Sequence, residues 1–459
     1  DLLNIHYCLI PHYGYTKEVI GPPQKPLLRK RDYNGNGVSE YVSMEIPASG
    51  YGPVKAFELC SGEHIETNDF GDAFWPLDIG STYTTGSKSE LLLLRVENAE
   101  LWLTPLGGNY PSNSNDSLVI ALDTGISGGV MADYDNDGKT EILLVKNLPA
   151  ERVIQAYKRI STGALVQRNT LSNPTTTYSR NNFVPTIIVE NLDGDNYPDI
   201  LCADTDGDIM IYEIINPTEH HLRWTTRLPV GNTYILTSGD FDGDGNKDFF
   251  VAGYNTDITN PNLSFWYGEG FRNTGNNTYS SMGNIMFNEV STLNSITNAD
   301  LDKDGCNEII LAITPNLYIL KYSNGNFTPV YYDESYRNYQ VVTLEDENGA
   351  VRIMANIHSD GDNAVSAQWI PSASFTGPAT PANLTVKPLN ENSINISWIS
   401  TGAPEYVLYR KDETGNTVSY NLSAATNYTD TGLQQGKAYQ YAIDNEYKFL
   451  SYGDSMLII

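Results

Sequence analysis

Five copies of a nine-residue acidic segment, each followed at once by a short apolar run, constrain the fold of this 459-residue chain more than any other feature. The copies begin at Asp32, Asp133, Asn191, Asp240 and Asp300. Self-similarity at spacings of a few tens of residues is typical of arrays of one repeated structural unit. The chain is therefore expected to stack similar units, with an acidic segment at the same place in each.

The spacing of the copies predicts how many units there are. The first gap is long enough to hide a degenerate copy, which fits residues 76–80 followed by 89–94, near Asp78. Another degenerate copy fits 344–349 followed by 351–354. Seven units of about 45–60 residues match the size of a four-stranded propeller blade. The sequence thus predicts an all-β fold with a seven-bladed β-propeller, in which the acidic segment joins the first two strands of a blade.

Composition and charge agree with this prediction and narrow the function. Hydrophobic residues make up 40% of the chain, Tyr is abundant at 31 and Gly reaches 38, a mixture typical of strands joined by many turns. The net charge of −28 argues against partners that are themselves anionic, namely nucleic acids and acidic membranes. No apolar run approaches the roughly 20 residues that span a bilayer.

The acidic segments have the donors that calcium prefers. Ca²⁺ takes six to eight oxygen ligands, and carboxylates at positions 1, 3 and 5, a carbonyl at 7 and an acid at 9 could supply them. An EF-hand is excluded, because its last acid stands at position 12 between helices. The predicted ligands are Asp32, Asn34, Asn36, Val38 and Glu40; Asp133, Asp135, Asp137, Lys139 and Glu141; Asn191, Asp193, Asp195, Tyr197 and Asp199; Asp240, Asp242, Asp244, Asn246 and Asp248; and Asp300, Asp302, Asp304, Cys306 and Glu308.

These loops resemble the calcium loops of FG-GAP/VCBS repeats, as in integrin α-subunit propellers and secreted bacterial surface proteins. The resemblance covers roughly residues 1–375, and the first loop departs from the pattern at Asn34 and Asn36. It implies four to five calcium ions with a mainly structural role. We also expect residues 4–10 to pair with the last blade near 364–369 and close the ring.

A second domain is expected after a linker at 376–382. Residues 383–459 alternate as strands and resemble a fibronectin type III β-sandwich, with 456–459 as the closing strand. Trp398 falls where that family has its core Trp on the second strand. Leu433 and Tyr439 match the spacing of its tyrosine corner, in which a Tyr hydroxyl bonds back to the backbone.

The four cysteines, Cys8, Cys60, Cys202 and Cys306, form no CxxC pair, so a zinc ribbon is not expected. We expect most of them to be unpaired and buried, although the sequence leaves a disulfide open.

The sequence contains no established catalytic motif. The pair His220–His221 lies in a strand-like or loop segment, where a catalytic role is not favoured, and Asp204 with Asp206 fits a turn. The Trp residues at 75, 102, 224, 266 and 369 are expected to pack between blades, with sugar stacking as the alternative. Residues 260–284 are interpreted as a long polar loop that could carry binding.

These observations favour a secreted or cell-surface protein that is not an enzyme and that recognises a glycan or protein through its propeller loops. A signal peptide would then have been removed, because the first residues lack a basic and apolar leader. Two alternatives remain open at this point: a calcium-dependent propeller polysaccharide lyase or hydrolase, and a structural subunit of an extracellular assembly.

Overall fold

The structure is a computed structural model. It describes residues 15–21, 24–31, 40–45, 54–58, 64–68, 74–80, 82, 90–95, 100–105, 118–121, 125–161, 163–175, 181–255, 264–287, 294–313, 316–323, 325–334, 341–345, 351–358, 364–371, 382–399, 405–412, 414, 416–423, 425–435, 437 and 439–444.

Seven four-stranded antiparallel sheets occupy the described residues up to 371. Six of them are simple meanders: β2–β5 (Gln24–Arg31, Glu40–Glu45, Val54–Glu58, His64–Asn68), β6–β9 (Phe74–Gly80, Glu90–Arg95, Glu100–Pro105, Leu118–Ala121), β10–β13 (Ile126–Ala132, Glu141–Leu148, Glu151–Arg159, Leu165–Ser172), β14–β17 (Ile188–Glu190, Asp199–Ala203, Asp208–Asn216, Glu219–Arg227), β18–β21 (Asn232–Gly239, Asp248–Asn255, Phe265–Gly275, Thr278–Phe287) and β22–β25 (Asn294–Ala299, Glu308–Ile313, Asn316–Ser323, Asn326–Glu334). The seventh has the order β1-β28-β27-β26, from Tyr15–Gly21, Ala364–Pro371, Val351–His358 and Val341–Glu345.

The N-terminal strand β1 closes the seventh sheet. Tyr15–Gly21 pairs antiparallel with β28, with Val19 opposite Ala367, so the sheet combines residues from both ends of the propeller region. Such pairing removes a free strand edge. The sequence analysis expected this closure but assigned it to residues 4–10, which lie outside the described residues. That assignment was wrong, because β28 already has β1 on one side and β27 on the other.

The second strand of a sheet is buried on both faces, which explains the uninterrupted apolar runs. In β15, Leu201 packs towards the following sheet with Leu236 and Phe249. The residues on either side of it, Ile200 and Cys202, pack towards the preceding sheet. Successive residues of a strand point to opposite faces, so a strand covered on both sides must be apolar throughout.

Two aromatic predictions can be judged in this core. Trp266 is fully buried, and the half-buried Trp224 packs edge-on against Phe249 and Phe271 of the following sheet. Both therefore pack inside or between sheets, as expected. The side chains of Trp75 and Trp369 are not among those described.

The prediction of a long polar loop at 260–284 was wrong over the residues that the structure describes. Residues 265–275 and 278–287 form β20 and β21, a long hairpin that turns at Asn276–Asn277. The Gly, Asn and Ser residues that suggested a loop lie on long strands whose opposite face carries buried Phe271 and Tyr279.

Residues from Ala373 onward belong to a smaller compact unit, which also includes the short segment Val330–Asp333, whereas Tyr15–Pro329 and Glu334–Ser372 form the larger unit. The smaller, C-terminal unit contains two three-stranded sheets: β29-β30-β33 (Ala382–Asn390, Ser393–Ile399, Asn427–Thr431) and β32-β31-β34 (Thr417–Ser423, Glu405–Asp412, Tyr439–Asp444). Trp398 lies on the second strand in a core with Tyr406 and Leu433. The expected hydroxyl contact is present, since the Gln434 N–H donates to Tyr439 Oη at 3.1 Å. The predicted strand 456–459 lies outside the described residues.

Cys202 is a buried free thiol, as expected, and Cys306 is free and half-buried. Cys8 and Cys60 lie outside the described residues. Within the described part of the chain, no helix has the length and apolar character needed to cross a bilayer.

Candidate metal centre: the acidic loops

Each acidic segment joins the first and second strands of its sheet. Residues 133–141, 191–199, 240–248 and 300–308 run between β10 and β11, β14 and β15, β18 and β19, and β22 and β23, and the ninth residue begins the second strand. The first segment runs from β2 to Glu40 at the start of β3, but Asp32, Asn34, Asn36 and Val38 lie outside the described residues. The predicted position of the loops within a sheet is therefore confirmed at the flanking strands.

The first acid of the loop holds the loop backbone. Asp240 Oδ1 accepts the Gly243 N–H at 2.7 Å, and its Oδ2 accepts the Gly245 N–H at 2.9 Å. Asp133 and Asp300 hold their own loops in the same way, through Gly138 and Gly305. These hydrogen bonds hold the bend of the loop without a bound cation.

The fourth and sixth positions require left-handed backbone. Gly243 and Gly245 have φ of 76° and 85°, whereas Asn136 and Lys303 adopt φ of 57° and 63° at the fourth position. Glycine avoids the steric cost of this region, and asparagine tolerates it better than most residues. The repeated Asp–Gly spacing thus encodes the bend that turns the acids inward.

The residues at positions 5 and 7 form a second repeated contact. The position-5 carboxylate accepts the position-7 N–H in every described loop, at 2.6–3.1 Å; the pairs are Asp137–Lys139, Asp195–Tyr197, Asp244–Asn246 and Asp304–Cys306. Whether the position-7 carbonyls serve as ligands stays a prediction.

The ninth acid anchors the loop in the core. Its carboxylate accepts the backbone N–H of position 2, as in Glu308 with Leu301 at 2.8 Å and Asp199 with Leu192 at 2.9 Å. Glu141 and Asp248 do the same with Tyr134 and Phe241. Burial, ahead of the neighbouring charges, raises the pKa of all four of these acids to about 7.

The carboxylates converge as the sequence predicted, with one addition. Oxygen atoms of three acids lie within 4.8 Å of one another in each described loop; the groups are Asp133, Asp135 and Glu141; Asp240, Asp242 and Asp248; Asp300, Asp302 and Asp304; and Asp193 and Asp195 with Glu213. Glu213 belongs to the third strand β16 and was not predicted. Asn191 and Asp199 belong to the same loop but not to its convergent group.

A lysine from the third strand lies inside the loop at 133–141. Lys158 Nζ is 2.6 Å from Asp135, 2.8 Å from Asp137 and 2.9 Å from Glu141. Burial by itself would lower the pKa of Lys158, but the hydrogen bonds that its ammonium donates to the three carboxylates raise the pKa above its ordinary value. The ammonium therefore stays charged and offsets part of the negative charge of the cluster, although Asp135 Oδ1 has no hydrogen-bond partner in the described residues.

The same arrangement recurs in two further loops. Lys321 Nζ of β24 lies 2.5 Å from Asp302, 2.7 Å from Asp304 and 2.8 Å from Glu308. In the loop at 240–248, Arg272 of β20 pairs with Asp242 at 2.5 Å.

The loop at 191–199 lacks such a cation. Asp199 is 1% exposed, and its Oδ1 has no hydrogen-bond partner in the described residues. Arg223 pairs only with Glu213, from the fourth strand. A buried carboxylate oxygen without a partner costs free energy that a cation would remove. The convergent carboxylates of this loop, Asp193, Asp195 and Glu213, are donors of the kind that a hard divalent cation such as Ca²⁺ takes.

The neighbouring sheet covers this loop with the turn of the β20–β21 hairpin. The Asn277 N–H donates to Asp193 Oδ2 at 2.8 Å, and the Asn276 amide donates to Asp195 Oδ2 at 3.0 Å. The Asn277 amide also donates to Glu213 at 2.7 Å. A cation held here would fix two adjacent sheets together.

Register explains why the sequence analysis missed the third-strand residues. The strand pairings place one third-strand residue across from the ninth acid of each of these sheets. These residues are Lys158, Glu213, Arg272 and Lys321. Their separation from that acid along the chain varies with hairpin length, so no fixed spacing marks them. Only an alignment of the second strand with the third strand in each sheet could have identified these residues from the sequence.

Asp204 and Asp206 lie in the turn between β15 and β16, as expected, and they form a further acidic group with Asp208 at the start of β16. Asp204 Oδ2 accepts hydrogen bonds from Asn173 at 2.9 Å and Thr175 at 2.7 Å. The chain's own donors thus already serve this carboxylate.

The two histidines of interest lie on the outer strand β17. His220 Nδ1 is 2.9 Å from Asn169 Oδ1, and His221 Nε2 is 3.2 Å from Glu219 Oε1. They bond to different partners, which agrees with side chains on opposite faces of a strand.

Comparison with known proteins agrees with this geometry. Residues 191–251 and 240–311 each match the family model of the FG-GAP-like repeat. The β-propeller domain of Nup133 from Vanderwaltozyma polyspora is similar in fold, with a TM-score of 0.51, 8% identity and coverage of 79% of this chain and 99% of that one. The larger unit has a β-propeller fold, and FG-GAP-like repeats cover its residues 191–311.

A second solved structure, BBS1N in complex with ARL6DN from a crystal soaked with lead, has a TM-score of 0.49 and 11% identity, covering 79% of this chain and 98% of that one. No curated protein sequence matches the chain.

Proposed function

We propose that this protein is a calcium-stabilised binding protein of the cell exterior, which recognises a glycan or a protein through its propeller loops and catalyses no reaction. In this proposal the seven four-stranded sheets are seven blades, and the C-terminal unit is a fibronectin type III-like sandwich that acts as a spacer or docking module.

The observation that carries the proposal is the donor set of the loop at 191–199. Three convergent carboxylates lie there, Asp193 and Asp195 from the loop and Glu213 from β16, and one buried oxygen of the adjacent Asp199 lacks a partner among the described residues. Calcium would supply the positive charge that this loop needs and would hold it against the turn of the β20–β21 hairpin.

Recognition at the same face is supported by an exposed aromatic side chain. Tyr197, at the seventh position of this loop, is 41% exposed. Tyrosine is enriched at binding surfaces because it offers a large rigid contact with a polar end.

The test is a glycan array and a pull-down with the full chain, each performed in calcium and in chelator, with Tyr197→Ala as the altered surface. Calcium-dependent capture that the variant loses would support the proposal. Release of unsaturated sugars from a bound polysaccharide would instead indicate a lyase, and concentration-dependent polymerisation would indicate a structural subunit.

A further inference from the structure

We propose that Lys158, Arg272 and Lys321 are built-in counter-ions that replace calcium in three of the acidic loops, so that the loop at 191–199 is the one fully described loop open to the metal. This inference rests on the proposed function for its account of the 191–199 loop, but the role of the three cations stands independently of it.

The third strand is the element that divides the loops into two classes. In three sheets the third strand carries a base across from the ninth acid, and this base pairs with one or more acids of the loop in its own sheet. The bases are Lys158, Arg272 and Lys321, across from Glu141, Asp248 and Glu308. In the sheet of Asp199 the third-strand residue is Glu213, which pairs with Asp199 itself in the ladder. The cation described beside this site, Arg223 of β17, pairs with Glu213 and not with an acid of the loop, so Asp193, Asp195 and Asp199 have no counter-ion among the described residues.

Geometry makes the tethered cation and calcium mutually exclusive. Lys321 Nζ lies 2.5–2.8 Å from oxygens of Asp302, Asp304 and Glu308. A Ca²⁺ bound to the same oxygens would lie about 2.3–2.6 Å from each of them, and thus nearly at the same point. The ion could enter only if the ammonium left, and the two positive charges would repel each other.

The ammonium also relieves the repulsion that calcium would relieve. Lys158 is largely buried, with 13% of its side chain exposed, and Asp135 and Glu141 have fully buried side chains. Removing one partner from such a cluster leaves uncompensated buried charge, which is strongly destabilising. These hairpins should therefore be stable without metal, in contrast to the usual expectation for a loop so rich in carboxylates.

Arg272 acts through fewer contacts. Its guanidinium reaches Asp242 and lies 6.0 Å from the centre of the Tyr322 ring. Arginine is less strongly hydrated than lysine and suits a partly buried ion pair next to an aromatic ring.

The first sheet can be compared with the others by backbone register alone, because residues 32–39 of its loop lie outside the described part of the chain. Glu40 stands opposite Glu58 of β4, so an acid again takes the third-strand position. The whole protein is therefore expected to bind one or two calcium ions rather than four or five.

The experiment is calorimetric titration of calcium into the metal-free full chain, combined with melting curves in chelator. The wild type should bind one or two ions, and Asp195→Asn should remove one of them. Lys321→Met should gain one ion, and its melting temperature in chelator should fall by on the order of 5 °C and recover in calcium. Lys321→Arg, which keeps the charge, and Lys247→Met, on the exposed rim of a neighbouring loop, should behave like the wild type.

Three or more ions in the wild type would overturn the inference, as would a folded Lys321→Met that gains none. If Lys321→Met does not fold in chelator, its refolding on addition of calcium supports the inference, and failure in both Lys321→Met and Lys158→Met overturns it. A wild type that binds no calcium at all would refute the proposed function, whereas a calcium gain in Lys321→Met would still support the counter-ions.

Discussion

Lys158 and Arg159 are neighbours on β12, yet their charged groups pair with acids of different sheets. Lys158 Nζ enters the acidic loop of its own sheet, 2.9 Å from Glu141, whereas Arg159 Nη2 lies 2.8 Å from Glu90 of the preceding sheet. Adjacent strand residues point to opposite faces, so one strand neutralises acids on both sides of its sheet. Glu90 begins the second strand of its sheet, as the ninth loop acids do.

This relationship predicts different calcium responses for two adjacent substitutions. Arg159→Met should lower the free energy of unfolding by about 3 kcal/mol, because it leaves buried Glu90 without its cation. Calcium should not restore the loss, because Glu90 belongs to none of the convergent acidic groups of the described residues. Lys158→Met should be destabilised in chelator and restored by calcium. Melting curves of both variants, with and without calcium, test this, and an equal rescue of the two would contradict it.

A lysine introduced at position 213 should give the loop at 191–199 a counter-ion of its own, like those of the loops that Lys158 and Lys321 face. In Glu213→Lys, a lysine would stand at the register position that Lys158 and Lys321 hold in their sheets. We expect loss of calcium binding at this loop and higher stability in chelator, whereas the wild type should gain about 2.7 kcal/mol from calcium at a hundredfold excess over Kd. Glu213→Gln is the matched control, which should weaken binding without stabilising the metal-free protein. Calcium binding to Glu213→Lys with wild-type stoichiometry would disprove the expectation.

The raised pKa of Asp204 predicts a pH dependence of the stability that does not involve the loop at 191–199. Burial, followed by the hydrogen bond and charge of Asp206, raises the pKa of Asp204 to about 6 in the folded protein. An unfolded Asp has a pKa of about 3.9, so the folded state binds more protons between these values and stability falls as pH rises through them. Asp206→Asn should raise the melting temperature at pH 8 and change it little at pH 4. Glu391→Gln, at an exposed acid, is the control, and a uniform shift at both pH values would contradict the assignment.

The C-terminal unit has a buried ion pair that can be tested separately. Asp430 is 2% exposed; it accepts hydrogen bonds from Arg410 at 3.0 Å and from the Tyr441 hydroxyl at 2.8 Å. Asp430→Asn removes the charge that balances Arg410 and should cost about 3 kcal/mol of unfolding free energy. Calorimetry should show that only one transition moves and that calcium does not correct it. A shift of the calcium-responsive transition instead would mean that the two units do not unfold independently.

Several features of the propeller could be predicted from the sequence because they are local. The bend of an acidic loop depends on residues within nine positions, such as Asp240 holding Gly243 and Gly245, so its pattern repeats along the chain. The apolar runs after the loops predict second strands because burial on both faces leaves no polar position. The closing strand was placed wrongly because Tyr15–Gly21 carries charged residues and looks less like a strand than residues 4–10 do.

The sequence by itself thus determined the repeated hairpins, the acids at their bends and the all-β fold. Only the tertiary structure decided which charges face those acids, because strand register, not sequence spacing, brings Lys158, Arg272 and Lys321 to three of the loops and Glu213 to another. Register depends on the length of each second hairpin and on packing against neighbouring sheets. A cluster of like charges is stabilised by a counter-charge, so the residue that faces the acids decides how much of their charge the chain itself offsets.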